Sequence, residues 1–112
     1  MPEPIMLCRA DEIGEGQARG FDFDGEGVDA LFVARLGGRL AAWRNDCPHQ
    51  PGTPLPWRRH GYLNAAGTEI ICHGHGARFG ADGMCVAGPC VGASLAAVPV
   101  EIDDAGCLWV RR

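Results

Sequence analysis

Two short segments gather the side chains best able to bind a metal. "CPHQPG" opens at Cys47 and carries His49 beyond Pro48, and "CHGHG" opens at Cys72 and carries His75 three residues on. Between His49 and Cys72 lie 22 residues. Each half offers one thiolate and one imidazole, as C-x-H and C-x-x-H. Two kinds of centre accept two Cys and two His. Structural zinc binds them tetrahedrally, with like ligands usually grouped along the chain. A [2Fe–2S] cluster of mixed ligation instead places both Cys on one iron and both His on the other. The mixed halves suit the second centre: each loop can send its Cys to one iron and its His to the second. C-x-H is also too tight for the usual zinc knuckle.

These loops must be carried by strands, because period-2 patterning dominates the chain. The pattern predicts strands over 4–10, 18–23, 29–36 and 39–45, with a turn or a single helical turn over 11–17. The turn at 24–27 follows the second strand. Gly37-Gly38 between two apolar runs predicts a tight hairpin. From Asn45 to about Gly92, Pro, Gly, Cys and His crowd in, with strand-like pieces only at 68–73 and 83–88. A strand pattern resumes over 94–102, turns at "DDAG", and ends in "CLWVRR". The expectation is one domain, 1–112, with a β scaffold at both ends and a loop-rich lobe over about 45–92. Long loops of this kind tend to carry function.

Composition narrows the classes. The 112 residues suit a single core. A net charge of −4 with scattered basic residues argues against a nucleic-acid partner. It suits docking to a basic protein surface instead. The most apolar stretch, 84–100, is broken by Gly, Pro and Ser, so no membrane span is expected. The first twelve residues lack a basic segment followed by an apolar run, so a cytoplasmic location is expected. Six cysteines then point to metal ligation or free thiols rather than a disulfide framework.

The segments "CPHQPGTPL", "IICHGHGARFGADGMCVAGP" and "LAAVPVEI" resemble the Rieske [2Fe–2S] ferredoxins, including the small ferredoxin components of bacterial ring-hydroxylating dioxygenases. The resemblance covers nearly the whole chain. It implies an all-β fold, an antiparallel β-sandwich with the cluster-binding lobe at one end. It implies one [2Fe–2S] cluster per chain, with Cys47 and Cys72 on the inner iron and His49 and His75 on the outer iron. Gly88-Pro89 matches the third loop that shields such clusters. The gap between the two halves is longer than usual in the family, with "PWRRHGYLNAAG" as the insertion. The implied partners are a flavin-dependent reductase as donor and an oxygenase or reductase as acceptor.

The ligand set fixes the chemistry. Two ferric ions, two sulfides and two thiolates are neutral together, whereas an all-cysteine cluster is doubly negative. Neutral imidazoles therefore make reduction easier, within a range of about −150 to +300 mV. The added electron belongs on the imidazole-bound iron, and reduction should raise the pKa of His49 and His75 by attraction. High-potential relatives carry a Ser after the second His-Gly and a Tyr two residues later. Here those positions are Ala77 and Phe79, with no hydroxyl to donate to sulfur, so a low-potential centre toward about −150 mV is expected.

Other residues receive plainer readings. His73 has no place among the four ligands and is read as a loop residue; His60 is read as exposed. Cys85 and Cys90 could form a redox pair, but a small apolar role is preferred, as for Cys8 and Cys107 on strands. Trp43 and Trp109 are expected in the sandwich core, and Trp57 in the lobe. No nucleophile–base pair is apparent, so the chain is expected not to be an enzyme by itself. A one-electron carrier leads. A relay subunit of a larger reductase of the nitrite reductase type comes next, then a redox sensor or a structural zinc module.

Overall fold

The computed structural model describes residues 4–22, 29–46, 55, 60–72, 76–88 and 91–111. Ten strands form three antiparallel sheets among these residues. β1 (Pro4–Arg9), β10 (Cys107–Arg111) and β9 (Val100–Ile102) make the first sheet, in that order. β2 (Gln17–Phe21), β3 (Leu31–Leu36), β4 (Arg39–Arg44) and β8 (Ala97–Val98) make the second. β5 (Ile70–Cys72), β6 (Ala77–Phe79) and β7 (Cys85–Ala87) make the third, inside the lobe. The only helical element among the described residues is a 3-10 turn, Ala10–Glu12, where a turn was expected. No helix is long and apolar enough to cross a membrane.

The second sheet is the middle layer. β3 reads almost continuously apolar because both of its faces are covered. Leu31 and Val33, with Ala42 of β4, face the first sheet and pack with Cys8, Ile13, Val98, Leu108 and Val110. Phe32, Ala34 and Leu36, with Trp43, face the lobe and pack with Leu55, Tyr62, Ile70, Cys72, Ala77, Phe79 and Cys85. The alternation of one strand thus divides two cores between two layers. At the expected hairpin, Gly37 and Gly38 take φ of +61° and +78°, which permits a two-residue turn between Leu36 and Arg39. The Glu15 carboxylate accepts both of their N–H groups, at 2.9 and 2.6 Å.

Three expectations are corrected. The single strand over 94–102 is two strands in different sheets, divided at Pro99, which has no N–H to donate to a ladder. β6 lies where no strand was expected; with only three residues it carries too little alternation to read. Trp109 is half-buried rather than core. It pairs with Met6 on the outer face of the first sheet, and its Nε1–H donates to Asp103 Oδ2 at 2.8 Å. Trp43 and Cys8 are buried as expected.

The described part of the insertion, residues 60–67, is a strap along β2. Gly20 N–H donates to His60 Nδ1 at 2.9 Å, and His60 holds φ +66°. Tyr62 is fully buried and stacks on Phe32, ring centroids 4.1 Å apart. Leu63 bridges to Ile70, joining the strap to the lobe sheet. Gly67 lies against Gly16, where a Cβ would come within 2.8 Å of the Gly16 carbonyl oxygen.

Candidate metal centre

Cys72 is the last residue of β5 and is fully buried. It sits there because β5 alternates Ile70 and Cys72 toward the core while Ile71 lies between them, half-buried. Cys72 pairs with Ala77 across the hairpin, and Gly76 N–H donates to the Cys72 carbonyl at 2.8 Å. Gly76 has φ +71°, a conformation glycine adopts without a Cβ penalty. Cys47, His49 and His75 lie outside the described residues, as do His73, Cys90, Pro89 and Trp57. Among the described residues no three His, Cys, Asp or Glu side chains come together as a metal site.

What the structure places is the footing of the two segments read from the sequence as ligand-bearing. The first leaves the end of β4 at Asn45 and returns at Leu55, whose N–H donates to Asn45 Oδ1 at 2.9 Å. Leu55 and Cys72 belong to one buried cluster. The base of the first segment and the strand bearing the second are therefore parts of one packed body. β7 pairs with β6 so that Arg78 lies opposite Ala87. Gly88 then comes close to the ligand hairpin: a Cβ on it would be 2.7 Å from Ala77 Cα. The third loop thus begins flush against the residue that follows the Gly76 turn.

These features fit a [2Fe–2S] group. The two segments offer two thiols and two imidazoles, the donor set such a group takes, and Cys72, the one of these described, is fully buried. Ala77 and Phe79 are both fully buried on the Cys72 face of the sheet. Cys85 is also buried, with its thiol 3.2 Å from the Ala87 carbonyl.

Tyr62, Asp29 and Asn45 form a polar chain that the sequence did not reveal. Tyr62 donates its hydroxyl to Asp29 Oδ2 at 2.9 Å, and Asp29 is the one buried charged residue among those described. Gly20 leaves room for that carboxylate, since a Cβ would overlap it. Asn45 Nδ2 donates to the Asp29 carbonyl at 3.0 Å. The only sequence signal was an Asn at a strand end two residues before Cys47. Nothing in the pattern linked it to Asp29 or Tyr62, which are distant in the chain.

Fold and donor set together define an iron–sulfur protein. A family model described as Rieske [2Fe-2S] domain matches residues 3–101, and the chain belongs to that family. One [2Fe–2S] cluster per chain follows. The ferredoxin of carbazole 1,9a-dioxygenase from Nocardioides aromaticivorans IC177 is similar at 29% identity and TM-score 0.70, over 96% of each chain. A chain in the complex of reduced oxygenase and oxidized ferredoxin in carbazole 1,9a-dioxygenase is 27% identical with TM-score 0.72, over 96% of this chain and 92% of that one. The Sphingomonas yanoikuyae B1 ferredoxin shares the fold, at 24% identity and TM-score 0.70, over 98% and 99% of the two chains. No curated protein matches the chain. The zinc alternative is set aside by the family, and the chain is an electron-transfer protein.

Proposed function

We propose that this chain is a low-potential one-electron carrier, taking electrons from a flavin-dependent reductase and delivering them to an oxygenase. In this reading Cys47 and Cys72 hold the inner iron, and His49 and His75 hold the outer one. When bound, the cluster takes up and releases a single electron. The observation that carries the reading is the end-to-end correspondence with a dioxygenase ferredoxin, 96% of each chain at 29% identity. Residues 1–112 act as one domain, its two cores built on the opposite faces of β3.

The protein's own part is to hold the cluster and set its potential. Buried Ala77 and Phe79 offer no hydroxyl to sulfide, which supports a midpoint toward the lower end of the family range, about −150 mV. Free thiols at Cys8 and Cys107 suit a reducing cytoplasm.

The test is anaerobic reconstitution followed by EPR of the reduced protein, protein-film voltammetry, and stopped-flow mixing with a reduced flavin reductase and then an oxidised Rieske oxygenase. A mixed-ligand [2Fe–2S] spectrum, a midpoint below zero and reduction of the oxygenase are expected. A midpoint above zero overturns the low-potential assignment. Reduction by the flavoprotein without onward transfer overturns the oxygenase assignment.

A further inference from the structure

Asn45 stands just past the end of β4, two residues before Cys47, and its backbone N–H and both side-chain polar atoms each make a hydrogen bond. Nδ2 donates to the Asp29 carbonyl at 3.0 Å, Oδ1 accepts from Leu55 N–H at 2.9 Å, and its backbone N–H donates to the Ala30 carbonyl at 3.1 Å. One carboxamide thus ties the entry to β3, the end of β4 and the far end of the Cys47–His49 segment. Both bonds together require a carboxamide of this length, whereas the Leu55 bond alone requires only an acceptor at this place. Asp has no donor for the Asp29 carbonyl, Gln is a methylene too long, and Ala has neither group. Leu55 is fully buried beside Cys72 in the lobe core, so the tie refers the first ligand segment to the strand holding the second.

We propose that Asn45 is a positioning residue of the cluster site, fixing where Cys47 and His49 stand relative to Cys72 by holding the Leu55 N–H. The proposal rests on the ligand reading of Cys47 and His49. Groups that orient metal ligands without touching the metal govern affinity by about 10–100-fold. Here the orientation acts through the backbone: Asn45 sets where the segment begins and ends. Tyr62 serves as the internal control, because its hydroxyl bonds Asp29 but not Leu55.

The experiment compares the full chain with Asn45→Ala, Asn45→Asp and Tyr62→Phe, each reconstituted with iron and sulfide. EPR g-values of the reduced protein and the rate of iron loss to a chelator are read, together with Leu55 amide exchange in the apoprotein. Asn45→Ala should shift the g-values, speed iron loss roughly tenfold and raise Leu55 exchange. Asn45→Asp keeps the acceptor for Leu55 and should restore the wild-type spectrum, while Tyr62→Phe, which lowers stability without touching the Leu55 bond, should keep the wild-type g-values. An Asn45→Ala protein with wild-type g-values and iron loss overturns the proposal, as does a Tyr62→Phe protein whose g-values shift to the same degree. Should Asn45→Ala not accumulate, Asn45→Asp decides alone: a wild-type spectrum supports the proposal and a shifted one overturns it. Absence of a mixed-ligand spectrum in the wild-type chain overturns the ligand reading itself, a separate failure.

Discussion

Gly88 lies so near Ala77 that a Cβ on it would be 2.7 Å from Ala77 Cα and 3.2 Å from Ala77 N. Gly88 also holds φ +94°, where L side chains are strained. Both effects oppose any side chain at this position. Gly88→Ala should cost on the order of 1–3 kcal/mol and push the third loop off the ligand hairpin. Denaturant unfolding of the apoprotein checks the first effect, and cluster retention the second. An unaltered midpoint and full iron content would refute both.

Ala77 and Phe79, fully buried on the Cys72 face of the lobe sheet, carry no hydroxyl to offer a cluster held there. Ala77→Ser and Phe79→Tyr should each raise the midpoint potential, because a donor to sulfide stabilises the reduced, more negative state. The shift should be a modest fraction of the family span of about 450 mV. Voltammetry reads it directly, and a downward shift in both variants would contradict the argument.

Tyr62 combines a ring stacked on Phe32 with a hydroxyl bonded to buried Asp29. Removing the hydroxyl takes a donor from a desolvated carboxylate while the stack persists. Tyr62→Phe should therefore destabilise the fold by about 1–3 kcal/mol. Loss of the ring in Tyr62→Ala should cost more, about 3–5 kcal/mol. Equal denaturation midpoints for wild type and Tyr62→Phe would show that the hydroxyl contributes nothing.

The Cys8 thiol has its pKa raised above the ordinary 9.0, first by burial and then by the Glu12 carboxylate, against an opposing pull from Arg19. The folded chain thus keeps a proton that the unfolded chain gives up as pH passes 9.0. Stability from this group is complete below that value and declines as pH rises through the folded pKa. Unfolding midpoints measured up this alkaline limb should fall more steeply for wild type than for Cys8→Ala. Parallel limbs would remove Cys8 as a cause.

Sequence reading reached furthest where one local rule governs. Gly37-Gly38 named its hairpin because positive φ at both residues is a local demand, and Cys72 fell at a strand end as its glycine-rich flank suggested. Reading failed where long-range pairing decides. β6 is a strand only because β5 and β7 flank it. The division at Pro99 needed knowledge that two sheets compete for one segment. Trp109 was expected inside on hydrophobicity, yet the β1–β10 register puts it opposite exposed Met6. For the site, spacing pointed to Cys47, His49, Cys72 and His75, of which Cys72 alone lies among the described residues. The carboxamide of Asn45 was not legible, since its partners Asp29 and Leu55 meet it only after folding.

The strap over 60–67 has a consequence for life in a crowded cell. β2 ends its sheet, and a bare strand edge is a template on which another chain can add. Here His60 engages the Gly20 N–H and Gly67 abuts Gly16, so the protein's own chain shields that margin. A carrier that must meet and leave partners repeatedly gains from such shielding: encounters there are less apt to end in β-sheet aggregation.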